Sequence, residues 1–321
     1  MSPKVDAIVM IPAHTMASRG DGPGDSTRIQ STLTTLEVRK RRNIPMLIGG
    51  IAVVLVVGFA LLDVFTNERF GWPVVLEYLF NPQILEGVLL TITLTVLSML
   101  VGIVFGVVLA VMRVSNNPVL SWTSRAYIWF FRGTPLLVQL IFWYNIAALY
   151  PMIALGLPFG GPSIELGSAN VLITPLIAAF LGLALNEAAY MAEIIRSGIS
   201  SVDSGQLDAG RALGMKRGKL MMRVVLPQAM RVVIPPTGNQ VISMLKSTSL
   251  VSVLAISDLL YAAQSIYALN YEVIPLLLVT CVWYLALTTA LSAVQVRLEE
   301  RYGRGFTPRK LRSVSRKAAR S

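Results

Sequence analysis

Long apolar runs constrain this chain more than any other feature. A membrane crossing needs roughly 20 mainly apolar residues. By that measure the sequence predicts six spans, at 44–65, 85–112, 134–155, 171–195, 232–257 and 273–296. Glu187 and Glu193 interrupt the fourth run, and Pro235, Pro236 and Lys246 interrupt the fifth. Only 14% of the 321 residues are charged, against about 25% in an ordinary soluble domain, and the mean hydropathy is +0.64. The expectation is an all-α, polytopic membrane protein of six transmembrane helices.

The placement of charge supplies an orientation. The tail 1–43 has seven Lys/Arg against four acids, loop 113–133 has Arg113, Arg125 and Arg132, loop 196–231 has seven bases, and tail 297–321 has nine. The intervening segments are poor in bases: 66–84 has only Arg69, 156–170 has only Glu165 as a charge, and 258–272 has two acids and no base. Basic segments remain on the cytoplasmic side, so both termini are expected there. The net charge of +11 is then a topology signal that also attracts anionic lipid, and nucleic acid is not an expected partner. Residues 1–43 read as a mobile tail without a signal-peptide core. Residues 44–65 follow as the first span, 298–321 as a basic cytoplasmic tail, and 151–170, with three prolines and Gly160-Gly161, as a constrained outer loop.

The reactive residues are few. Cys281 and His14 are the single cysteine and histidine, which removes intramolecular disulfides, cysteine or histidine metal clusters and the usual Ser-His or Cys-His pairs. A phosphate-binding loop needs Gly, four residues, then Gly-Lys and Ser or Thr. Gly218-Lys219 is followed by Leu220, with Leu213 at the first glycine position. No cofactor or metal is expected on this chain, and ATP hydrolysis would have to come from another subunit.

One polar segment, 203–227, separates two apolar runs. Asp203, Ser204 and Gly205 are all suited to an N-cap, and Gly214 sits where a glycine ends a helix. A second short helix is expected from Lys216 to Val225, stopped by Pro227. Elsewhere, Gly102 and Gly106 form a Gly-x-x-x-Gly pair that permits close helix approach. Thr134 reads as an N-cap, with Pro135 in the first helical turn. Glu187, Glu193 and Lys246 are charges at membrane depth, and such charges normally face a cavity or a partner. Glu187 and Lys246 are candidates for a solute pathway or for an ion pair within the bundle; Glu193 is a pathway candidate or a shallow partner of Arg196. Two glutamates against one lysine favour a cationic or zwitterionic solute, with Glu187 the deeper ligand candidate.

The segment Asp208-Ala209-Gly210, then Gly214, Val224 and Leu226-Pro227, resembles the cytoplasmic loop of the membrane subunits of ATP-binding-cassette importers. That family's pattern is Glu-Ala-Ala, three residues, Gly, nine residues, Ile, one residue, Leu-Pro, so Asp208, Gly210 and Val224 are departures at kept spacing. A literal Glu-Ala-Ala at 187–189 lacks the following glycine, because Glu193 stands there. Phe131-Arg132-Gly133-Thr134-Pro135-Leu136-Leu137-Val138-Gln139 looks like the motif opening the third span of polar amino acid permeases. The segment from Ala189 to Arg196, Leu226 to Arg231, Pro235-Pro236, Gly238-Asn239 and Leu245 to Leu250 resemble the same subfamily.

The resemblance covers about 84–300 and implies a permease domain over 84–297 in the bacterial cell membrane, with 44–65 as an extra span. It implies a translocation pathway for a polar amino acid or amino-acid-like solute. The partners implied are separate ATPase subunits, a second permease subunit and an extracytoplasmic solute-binding protein. Asp208, Ala209, Gly210, Gly214, Leu226 and Pro227 would couple the spans to the ATPase. A second reading, an ion-coupled carrier, would use Glu187, Glu193 and Lys246 as ion sites.

Overall fold

The computed structural model describes residues 44–156 and 163–303. The tail 1–43 with His14, the outer-loop residues 157–162 and the basic residues 304–321 lie outside the described residues. The chain divides into two units, Met1–Val64 and Phe65–Ser321. The first contributes helix α1 (Ile44–Thr66), whose Val54, Leu55, Val56 and Phe59 are exposed. A helix that is apolar all round suits a lipid solvent.

The second unit is a helical bundle with one small hairpin. After a short helix α2 (Trp72–Tyr78) come α3 (Pro82–Arg113), α4 (Pro118–Gly133) and α5 (Leu136–Tyr144). Strands β1 (Met152–Gly156) and β2 (Ser163–Ser168) pair antiparallel, with a bulge between Ile153 and Ala154. Then follow a single turn, α6 (Ala169–Leu172), the central helix α7 (Pro175–Ser200), and the short helices α8 (Ser204–Ala212) and α9 (Arg217–Leu220). Helix α10 (Leu226–Ser247), α11 (Leu259–Asn270) and α12 (Val273–Gly303) complete the unit. Three helices begin with the same device. A polar side chain caps the first turn and proline fills the first helical position, at Asn81-Pro82, Asn117-Pro118 and Thr174-Pro175.

Helices α3 and α7 form the centre. A Cβ on Gly102 would lie 2.7 Å from Glu187 Cγ, and one on Gly106 would lie 2.6 Å from Met191 Cβ. The Gly-x-x-x-Gly pair therefore sets the close approach that its spacing predicts. Leu94, Met99, Leu183 and Met191 bury their side chains beside it, joined by Leu140, Met244 and Val251 from other elements. A second cluster, including Val75, Ile84, Leu259 and Leu276, ties α2, α3, α11 and α12 together.

The helical class matches the sequence, while the division into six spans does not carry over intact. Among the described residues, four helices are long and apolar enough to cross a membrane, and a fifth crossing counts if 217–254 and 259–270, bent by 44°, are one span. The stretch 134–155 is not one helix: α5 ends at Tyr144 and β1 begins at Met152. Nor is 113–133 a loop, since α4 fills most of it. Together α4 and α5 run along α7, with the Tyr127 hydroxyl donating to the Leu185 carbonyl at 2.8 Å and Leu140 seated on Gly182. Pro135 separates the two helices. Proline disfavours helical backbone at the preceding residue, and Thr134 is accordingly extended, at φ −112° and ψ 145°. Thr134 does not cap α5, which has no side-chain cap hydrogen bond. Its hydroxyl donates back to the Phe130 carbonyl at 2.9 Å, and Pro135 itself stands at the cap position of α5.

Two further expectations change. Residues 258–272 are not a plain outer loop, because α11 occupies most of them and Asp258 is fully buried. Pro227 does not stop the second short helix. The backbone runs from α9 through a π-helical turn, Met221–Val225, into α10. A widened turn placed immediately before a proline relieves the clash and the missing N–H.

Candidate functional site

Helix α8 is a rigid pad between two spans. The Asp203 side chain caps it, accepting from Gly205 N at 2.8 Å. It ends in a Schellman turn: Gly214 N donates to Arg211 O at 2.9 Å, and Met215 N donates to Gly210 O at 3.1 Å. Gly214 takes φ +71°, the left-handed conformation its position in the sequence requires. Gly210 is buried, and a Cβ there would lie 2.3 Å from Leu220 Cδ1. The departure from the family's alanine thus makes room for the α9 leucine. Val202, Val225 and Ala229, with Ile199 and Leu207, anchor the pad to α7 and α10.

Its outer face is open. Asp208 and Ala209 are exposed, as is Gly214, and Leu213 is 82% exposed. Asp208 pairs with Arg211 at 2.9 Å, with both side chains about two-thirds in solvent, so the pair adds little stability. Leu226 and Pro227 lie apart from this face, at the start of α10, where they are exposed.

The membrane-depth charges separate into three environments. Glu193 is half-buried and paired with Arg196 one turn on; Arg132 lies over the Tyr190 ring at 5.2 Å. Glu187 is fully buried. Its Oε2 accepts from Gln240 Nε2 of α10 at 3.1 Å, and its Oε1 has no hydrogen-bond partner among the described residues. Lys246 is exposed near the end of α10, and among the described residues it forms no ion pair. The three do not converge on one cavity within this chain.

The structure adds residues to which the sequence reading gave no role. Gln139 and Asn186 are buried polar side chains at the α4–α5 break. Gln139 had been quoted within a motif, but only its family resemblance marked it. Asp258 caps α11, accepting from Tyr261 N at 3.0 Å and Leu260 N at 3.3 Å. The only signal in the sequence was an acidic residue before an apolar run. The Gly238-Asn239 motif also acquires a reason: Gln295 of α12 packs on Gly238 and donates to Asn239 Oδ1 at 3.0 Å.

Residues 102–304 match the family model described as the binding-protein-dependent transport system inner membrane component. The chain belongs to this family. It is 42% identical to the arginine transport system permease protein ArgU of Corynebacterium glutamicum over 91% of this chain and 90% of that protein. It is 37% identical to the nopaline transport system permease protein NocM of Agrobacterium fabrum, over 68% of this chain and 87% of the other. A chain in the crystal structure of an amino acid ABC transporter with histidines superposes with a TM-score of 0.60 at 32% identity, covering 69% of this chain and 95% of that one. This family member is therefore a multi-pass inner-membrane permease of an ATP-binding-cassette importer, in the polar amino acid group. It is not an enzyme, and ATPase and binding-protein subunits are its partners. An ion-coupled carrier is not favoured.

Proposed function

We propose that this permease conducts a cationic amino acid or a close analogue, arginine being the first candidate. One observation carries the choice of solute: the similarity to the arginine permease extends over 91% of this chain, whereas that to the nopaline permease extends over 68%. Glu187, buried and with one carboxylate oxygen that has no hydrogen-bond partner among the described residues, supports a preference for positive charge, since desolvated charge discriminates strongly.

In this reading two permease subunits pair, alike or different, and ATP acts only through the partner ATPases. Both termini lie in the cytoplasm, and the basic segments sit against anionic lipid. Asp208, Ala209, Gly210 and Gly214 form the face that meets the ATPase. ATP binding favours one of two bundle arrangements, and transport follows from that difference in affinity. The test is uptake by the complex in sealed proteoliposomes with its binding protein. ATP-dependent accumulation of labelled arginine, outcompeted by lysine or ornithine and not by glutamate, is expected. Accumulation of glutamate in preference to arginine contradicts the choice of solute.

A further inference from the structure

The α4–α5 break is built unlike an ordinary helix end. Helix ends leave carbonyls unsatisfied, and where they are buried such groups need partners from the protein. Here two side-chain amides supply them. Gln139 Nε2 donates to Phe131 O at 2.9 Å, to Thr134 Oγ1 at 2.8 Å and to Thr134 O at 3.2 Å. Asn186 Nδ2 of α7 donates to the same Phe131 carbonyl at 2.9 Å and to Gln139 Oε1 at 3.2 Å. Both side chains are more than nine-tenths buried.

Gly133, the last residue of α4, supplies the second observation. Among the described residues a Cβ there would meet nothing within 4 Å, and its φ is not in the left-handed range. Neither packing nor this backbone conformation calls for glycine, which weakens a helix relative to alanine. Gly102, Gly106 and Gly182 all differ, since each has a neighbour that a Cβ would strike. What glycine retains at 133 is access to a second conformation. The break also adjoins the helices that carry the pad. Asn186 adjoins Glu187, which binds Gln240 of α10, and α7 and α10 flank the pad α8.

We propose that Gly133–Pro135 is a hinge between α4 and α5, and that Gln139 and Asn186 are positioning residues that latch it in the arrangement seen here. Transport requires the latch to open and re-form, so α4 and α5 bend against each other as α7 and α10 move. This rests on the importer reading and adds to it a named place where the bundle flexes.

The test uses the assembled complex in proteoliposomes. G133A/P135A lets α4 and α5 join as one helix and removes the break the amides cap. Assembly and basal ATP hydrolysis should be retained, with uptake down at least about tenfold. Q139L should lower uptake about tenfold in the parent, the scale of losing buried hydrogen bonds, and less than about twofold in the straightened background, because coupled sites are non-additive. Parental uptake by G133A/P135A overturns the hinge. So does loss of assembly in that variant, which would make the break a fixed structural need. An equal effect of Q139L in both backgrounds overturns the latch. Absence of ATP-driven uptake by the parent complex would instead count against the importer reading.

Discussion

Glu187 of α7 accepts a hydrogen bond from Gln240 of α10 at 3.1 Å, and this contact, not an ion pair with Lys246, is what holds the carboxylate. Glu187→Gln keeps the size of the side chain and can retain the bond to Gln240. Subunit assembly should therefore remain normal. Uptake of a cationic solute should fall about tenfold, the scale of one desolvated charge contact. Assembly is checked by co-purification and uptake by labelled solute. Loss of assembly returns Glu187 to a structural role, and unchanged uptake removes it from the pathway.

The same carboxylate explains what Gly102 is for. Its Cβ position is 2.7 Å from Glu187 Cγ, inside any tolerable contact, and the neighbouring backbone of Ala188 is also close. Gly102→Leu should force α3 from α7 and destabilise the bundle by at least ~1–3 kcal/mol. Thermal unfolding in detergent should show a lowered Tm, whereas Gly133→Leu, with open space around it, should not. Equal Tm values for the two variants would contradict the packing.

Asp208 lies on the exposed face of α8 and pairs only with Arg211 of the same helix. Asp208→Lys should leave the fold within about 0.5 kcal/mol, as surface substitutions usually do, while weakening capture of the ATPase. Co-purification of ATPase with the permease should fall. Undiminished capture would move the docking face elsewhere.

Topology follows from the charge alternation. In a Cys281→Ser background, needed because Cys281 is exposed, single cysteines at Leu269 and Gly218 should label on opposite sides. In sealed cells an impermeant maleimide should reach Leu269→Cys only. Labelling of Gly218→Cys from outside would invert the orientation.

Much of this architecture was legible because lipid punishes exceptions. Runs such as 85–112 and 273–296 had no other solvent to go to, and Gly102 with Gly106 announced the central contact. At α8, the cap at Asp203 and the left-handed turn at Gly214 followed from residue type. The α4–α5 segment was hidden for the opposite reason. Arg125, Arg132, Ser121 and Ser124 interrupt its apolar run; the two serines are buried, while both arginines stay exposed. Ser124 donates to the Leu109 carbonyl at 2.8 Å, and Arg132 lies over Tyr190. Asn186 finds its partners, Phe131 and Gln139, 55 and 47 residues away, so spacing could not reveal it, whereas Asp258 caps its own helix. Glu187 and Lys246, as charges at membrane depth, were open to an ion pair or to a place on the solute pathway. Among the described residues the hydrogen-bond partner of Glu187 is a neutral amide, Gln240 of α10.

The central claim is that α8 transmits the ATPase cycle to the bundle, and Gly214 tests it most directly. Its φ of +71° costs a β-branched residue ~1–3 kcal/mol, and a Cβ there would meet nothing within 4 Å, so Gly214→Val distorts the turn without a steric clash. The measurement is ATP hydrolysis by the reconstituted complex with and without solute-loaded binding protein. Basal hydrolysis and membrane insertion should be retained in Gly214→Val, while stimulation by the loaded binding protein and uptake fall together. Full stimulation with parental uptake in that variant, the ATPase still bound, would contradict the claim.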